Sequence, residues 1–132
     1  MLHCQQEVTN MEKTKILFVD DEKLNLMLFQ ISFKKKYKVF TADSGVEAIK
    51  ILDENKDIRV VVSDMKMPDM NGIEFIKIAH QKFPQASYYV LTGYSTTDEI
   101  QHAINIGLIQ KHFIKPFNRD DIVIEINKTI SS

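Results

Sequence analysis

The stretch Ile16-Leu17-Phe18-Val19-Asp20-Asp21-Glu22 is an apolar run that ends abruptly in three acids. Consecutive apolar residues without alternation are the pattern of a strand buried on both faces, as in a parallel sheet. Similar runs recur at Val39-Phe40-Thr41-Ala42, Ile58-Arg59-Val60-Val61-Val62, Tyr88-Tyr89-Val90-Leu91 and His112-Phe113-Ile114, giving five candidate strands.

Segments of helical period separate them. Leu24, Met27, Leu28 and Ile31 stand at i, i+3, i+4 and i+7, which predicts one inward apolar face on a first helix ending in Lys34-Lys35-Lys36, where cations complement the helix dipole. Ser44 and Glu47 open a second helix with Val46, Ile49 and Leu52 directed inward, and Asn71 and Glu74 open a third in the same way. A fourth begins at Thr96-Thr97-Asp98-Glu99, carries Ile100, Ala103 and Ile104 on one face and stops at Gly107. The fifth follows Asn118 and carries Ile122, Val123, Ile126 and Ile130. Each crossover between parallel strands needs a helix and is right-handed, so the expected fold is α/β: a doubly wound five-stranded parallel sheet with helices on both faces.

With 132 residues, 44% hydrophobic and 27% charged, the chain has the make-up of one domain. Residues 1–12 are polar and aperiodic and are expected to be a flexible leader, with residues 13–132 forming the domain. Seventeen basic against 18 acidic residues give a net charge of −1, hence no general field to attract nucleic acid or anionic lipid. The lone Cys4 cannot form an intramolecular disulfide, no Cys/His spacing suits zinc, and no apolar run reaches the roughly 20 residues of a membrane span. A cytoplasmic protein is expected. No helix-turn-helix pattern is seen, so the expected output is protein contact rather than DNA binding.

In an open parallel sheet, ligands bind beyond the carboxyl ends of the strands. There the first strand offers Asp20 and Asp21, the third Asp64, the fourth Thr92 and the fifth Lys115 followed by Pro116. Clustered carboxylates suit a hard cation such as Mg²⁺, which also bridges to phosphate oxygens. Asp64 can act as a nucleophile toward phosphorus and form an aspartyl phosphate. The repulsion between carboxylate and phosphoryl oxygens would be offset by Mg²⁺ on Asp20 and Asp21 and by the Lys115 ammonium, while the Thr92 hydroxyl donates to a phosphoryl oxygen.

The segments Ile16 to Glu22, Val62-Ser63-Asp64-Met65-Lys66-Met67-Pro68, Leu91-Thr92-Gly93 and Ile114-Lys115-Pro116-Phe117, in this order, resemble the receiver domain of bacterial two-component response regulators over about residues 14–130. The resemblance implies that Asp64 is the phosphoacceptor and that Asp20, Asp21, Asp64 and the backbone carbonyl of Lys66 hold Mg²⁺. It assigns Thr92 as the switch hydroxyl and Lys115 as the phosphate-contacting lysine. It also implies a flavodoxin-like strand order of 2-1-3-4-5 and a cis peptide at Lys115-Pro116.

A sensor histidine kinase or phosphotransfer protein would be the donor and a downstream protein the target, the chain being a monomer or a phosphorylation-promoted dimer. Such a domain is a phosphoacceptor, not an enzyme acting on an external substrate. Its signal would pass through the face made by helix 4, strand 5 and helix 5. Receivers usually carry Tyr or Phe three residues before the lysine, where this chain has His112, so the aromatic part of the switch is an imidazole whose charge can change near its reference pKa of about 6.5. Lys66 and Tyr94 stand where receiver side chains tune phosphate lifetime.

The stretch from Thr92 through Gly107 is similar to receivers attached to hybrid kinases or cyclic-nucleotide enzymes, so a piece of a larger hybrid kinase or multidomain regulator is the alternative. A receiver that binds partners without phosphorylation is a further one, against which the intact acid, Thr and Lys set argues. Aspartate-nucleophile phosphatases carry a general acid two residues after the nucleophile, a place taken here by Lys66. Lys34 to Lys36, His80 and His102 read as solvated surface, and Met65, Met67 and Met70 as gap-fillers over a core.

Overall fold

The computed structural model describes residues 13–93 and 96–131. The expected leader with Cys4, and Tyr94, lie outside the described residues. Elements alternate along the chain as β1 (Lys15–Val19), α1 (Lys23–Phe33), β2 (Lys38–Ala42), α2 (Gly45–Glu54), β3 (Val60–Asp64), α3 (Gly72–Lys82), β4 (Ser87–Thr92), α4 (Asp98–Asn105), β5 (Lys111–Ile114) and α5 (Arg119–Ser131). All pairings are parallel and the strand order is β2-β1-β3-β4-β5, the receiver arrangement expected. Among the described residues no helix is long and apolar enough to cross a membrane.

Successive strand residues point to opposite faces, and both faces are covered. Leu17, Val19, Val61, Tyr88 and Val90 pack with Leu52, Phe75, Ile76, Ile100 and Ala103 from α2, α3 and α4. Ile16, Phe18, Val60, Val62, Tyr89 and Leu91 pack with Phe29, Phe33, Ile122 and Ile126 from α1 and α5. This explains why the strands read as continuous apolar runs rather than alternating ones. Met65, Met67 and Met70 lie partly buried against the first of these cores, as gap-fillers.

Helix starts follow their caps. Ser44 Oγ accepts from Glu47 N at 3.1 Å, though Glu47 Oε1 reaches back to Asp43 N rather than to the cap residue. Asn71 and Glu74 form a complete reciprocal box at the start of α3. Thr97, one residue beyond the expected start, caps α4. Gly107, with φ of 78°, follows α4 in the left-handed region that favours glycine.

The inward face expected of α1 is the wrong one. Leu24, Met27, Leu28 and Ile31 are 47–64% exposed, and the helix instead buries Phe29 and Phe33, with Leu26 half-buried. Aromatic packing decides the rotation: the Phe29 ring stacks on Phe18 with centroids 4.1 Å apart and lies 4.4 Å from Phe33 and 5.7 Å from Phe117. The two rings complete an aromatic cluster with Phe18 and Phe117 that the aliphatic stripe could not form. Val46 likewise faces solvent, because Ala48 and Leu52 supply the buried side of α2. Lys34 caps α1 and Lys35 and Lys36 follow it, so the three lysines lie past the last turn, exposed.

Candidate functional site

Parallel strands place their carboxyl ends along one edge, and the acids stand there. Asp64 is the last residue of β3 and 3% exposed; Asp20 directly follows β1 and is fully buried; Asp21 is exposed. Each of the three offers a carboxylate oxygen, all within 4.8 Å of one another. Asp20 is held on both oxygens: Glu22 N donates to Oδ1 at 2.9 Å and Asn25 Nδ2 to Oδ2 at 3.1 Å.

The cation comes from the far side of the cluster. Lys115 Nζ lies 2.9 Å from Asp64 Oδ1, and its backbone N–H donates to the carbonyl of Thr92 at 2.7 Å, tying the segment after β5 to the end of β4. The Lys115-Pro116 peptide is cis. Asp64, Met65, Lys66, Thr92, Gly93 and Lys115 line a cavity of about 300 Å³. On its other side Asp20, Asn25, Leu28, Lys115, Pro116 and Phe117 border a second one of about 360 Å³.

Burial pushes the Asp20 carboxyl above the ordinary aspartate range, and the nearby Asp64 charge adds to this, against the stabilising bonds from Glu22 N and Asn25. For Lys115, burial alone would disfavour the ammonium. The hydrogen bond and charge of Asp64, with the charges of Asp20 and Glu22, more than offset that, and its pKa is raised.

All the proposed pocket residues therefore converge: Asp20, Asp21, Asp64, Lys66, Thr92 and Lys115. His112 is set apart from them on β5, half-buried, with Nε2 3.3 Å from Thr96 Oγ1. His102 is exposed as expected, and His80 is half-buried at the surface with its ring 5.7 Å from that of Tyr88.

Two residues that shape the site carry no plain signal in the sequence. Asn25 fixes the buried Asp20 from the first turn of α1. Gly72 allows α3 to start directly against the strand that ends in Asp64, since a Cβ there would lie 2.5 Å from the backbone oxygen of Asp64. The donor chemistry fits Mg²⁺: only oxygens are offered, and one of the three acids carries a desolvated charge that a hard cation would neutralise.

Fold and site together define a receiver domain of two-component systems. Residues 16–127 match the response regulator receiver domain, and the chain belongs to that family. It is similar to sporulation initiation phosphotransferase F of Bacillus subtilis, with 33% identity over 119 residues that cover 89% of this chain and 94% of that protein. It is also similar to the response regulator SaeR of Staphylococcus aureus, 31% identical over 119 residues, where it spans 89% of this chain and only 51% of the relative. Among solved structures, a response regulator receiver domain protein from Clostridium thermocellum superposes with a TM-score of 0.83 at 32% identity, covering 89% of this chain and 94% of that one.

Proposed function

We propose that the chain accepts a phosphoryl group on Asp64 from a histidine kinase or phosphotransfer protein, in a Mg²⁺-dependent reaction, and passes the event on by a change in the α4-β5-α5 face. The observation that carries this reading is the Lys115 ammonium 2.9 Å from an Asp64 carboxylate oxygen whose neighbours are two further acids. As Asp64 forms its bond to phosphorus, the bond from phosphorus to the donor nitrogen breaks. Lys115 balances charge on the phosphoryl oxygens, and Thr92 donates its hydroxyl to one of them. Asp20, Asp21, Asp64 and the Lys66 carbonyl would hold Mg²⁺, which when bound supplies positive charge against those same oxygens. The chain serves its own phosphorylation and turns over no external substrate.

The donor must bring its phosphohistidine over the rim where Leu28 borders the cavity beside Asp20 and Lys115. From that rim the exposed Leu24, Met27, Leu28 and Ile31 run down α1, an apolar surface for the donor protein to cover. Thr92 and His112 form the switch, the imidazole being released from Thr96 when Thr92 is drawn to the phosphate. The reading makes this a cytoplasmic protein, monomeric or dimerising on phosphorylation, with a downstream protein as its target. A receiver within a longer regulator is the second reading, favoured by the match to about half of SaeR. The size of the native protein on an immunoblot separates the two.

The direct test is labelling by acetyl phosphate. Wild-type protein is expected to take up label with Mg²⁺ and not with EDTA, and Asp64→Asn to take up none. Undiminished labelling of Asp64→Asn would overturn the assignment.

A further inference from the structure

The start of α1 is fastened to the acid cluster rather than to a cap of its own. Ser44, Asn71, Thr97 and Asn118 each accept, on the side chain, the backbone N–H three residues further on, at the starts of α2, α3, α4 and α5. Glu22 stands at the same position before α1, and its side chain makes no such bond. In α3 the N–H of the capping residue is taken by Glu74 from within the helix. In α1 the corresponding group, Glu22 N–H, is taken from outside it, by Asp20 Oδ1 at 2.9 Å. The other Asp20 oxygen accepts from the side-chain amide of Asn25 at 3.1 Å. One buried carboxylate thus grips the first turn of α1 at two points.

Asn25 is half-buried, the third residue of the helix, and the side chain that donates to Asp20 among the described residues. Burial drives the Asp20 carboxyl toward its neutral form, and the Asn25 bond works against that. The same residue faces the donor side. It borders the cavity of about 360 Å³ together with Leu28, one turn on, and it directly follows Leu24 in the exposed apolar stripe. A continuous set of contacts therefore runs from the acids through Asp20 and Asn25 to the outer face of α1. Groups that hold a metal-ligating oxygen from behind fix its orientation, and losing one typically weakens metal binding about 10-fold to 100-fold.

We propose that Asn25 is a positioning residue that orients Asp20 for the cation and, through the same bond, transmits cation binding to the first turns of α1, so that Mg²⁺ orders the face carrying Leu24 and Leu28. The inference rests on the Mg²⁺ reading of the acid cluster. The coupling runs both ways: a protein that seats on the ordered form of α1 tightens Mg²⁺ binding by the same factor.

The test combines a Mg²⁺ titration of the ¹⁵N-labelled chain with amide hydrogen exchange in EDTA and in saturating Mg²⁺. In wild type, Mg²⁺ is expected to shift the Asp21 and Asp64 amides saturably and to slow exchange about tenfold at Leu26, Met27 and Leu28. Asn25→Leu keeps the bulk and removes the donor. It is expected to bind Mg²⁺ about tenfold more weakly and, once saturated, to leave exchange in α1 at its EDTA rate. Asn25→Gln keeps a donor amide and is expected to bind Mg²⁺ more tightly than Asn25→Leu. Wild-type affinity in Asn25→Leu would overturn the positioning role, and equal weakening in both variants would reduce Asn25 to a packing residue. Wild type that binds Mg²⁺ with no change in α1 exchange would overturn the transmission to α1. No saturable shift in wild type at all would overturn the Mg²⁺ reading itself, and this inference with it.

Discussion

The Lys115 ammonium and the Asp64 carboxylate meet at 2.9 Å although Asp64 closes β3 and Lys115 follows β5, two strands that lie on either side of β4 and are not neighbours. The Lys115 N–H bond to the Thr92 carbonyl at the end of β4 sets that reach. The pair places a fixed positive charge where a phosphoryl group on Asp64 would put its oxygens.

Lys115→Met keeps most of the stem and removes the charge. Initial labelling by acetyl phosphate is expected to fall about a hundredfold, the scale of losing one preorganised charge-stabilising donor, with the fold intact by circular dichroism. A rate within a factor of about two of wild type would exclude Lys115 from the reaction.

Asp20 is fully buried and its carboxyl is pushed above the usual range by burial first and the Asp64 charge second. The folded protein therefore binds this proton more tightly than the unfolded chain does, so in EDTA Asp20 destabilises the fold at neutral pH, and that cost is relieved as pH falls through its raised pKa toward 3.8. Asp20→Asn is expected to stabilise the metal-free protein at pH 7 by about 1 kcal/mol, with the advantage shrinking as pH falls. It is also expected to lose most of the stabilisation that Mg²⁺ gives wild type. Urea melts with EDTA or Mg²⁺ at pH 7 and pH 5 measure both effects.

At Gly72 a Cβ would meet the Asp64 carbonyl at 2.5 Å and Met65 Cα at 3.2 Å, all backbone atoms that cannot swing away. Gly72→Ala is expected to cost about 1–3 kcal/mol in urea melts and to slow labelling, because the shift falls on Asp64 itself. Gly93→Ala has nothing within 4 Å and is the matched control, expected near neutral in stability. Equal melts for the two variants would contradict the tight approach of α3 to β3.

The exposed α1 stripe separates docking from chemistry. Met27→Gln with Ile31→Gln is expected to leave stability within about 0.5 kcal/mol of wild type, whereas Phe29→Ala on the buried face costs about 3–5 kcal/mol. The double variant is expected to label normally with acetyl phosphate yet accept phosphate more slowly from its protein donor. Normal transfer from the donor would remove α1 from the docking surface.

The sequence by itself determined the fold class and the chemistry of the pocket. Five short β-type runs, the central ones apolar throughout, alternate with segments of helical period and leave little choice but a covered parallel sheet, and such a sheet carries Asp20, Asp64, Thr92 and Lys115 to one edge wherever the helices pack. The tertiary structure alone decided how α1 is rotated. That helix offers an aliphatic stripe of Leu24, Met27, Leu28 and Ile31 and an aromatic one of Phe29 and Phe33, and helical period cannot rank two apolar faces; the choice rests on Phe18 and Phe117, which belong to other elements. The same holds for Asn25 on Asp20 and for Gly72 against Asp64. Each is a meeting of residues in three dimensions, set by packing and register rather than by any local pattern.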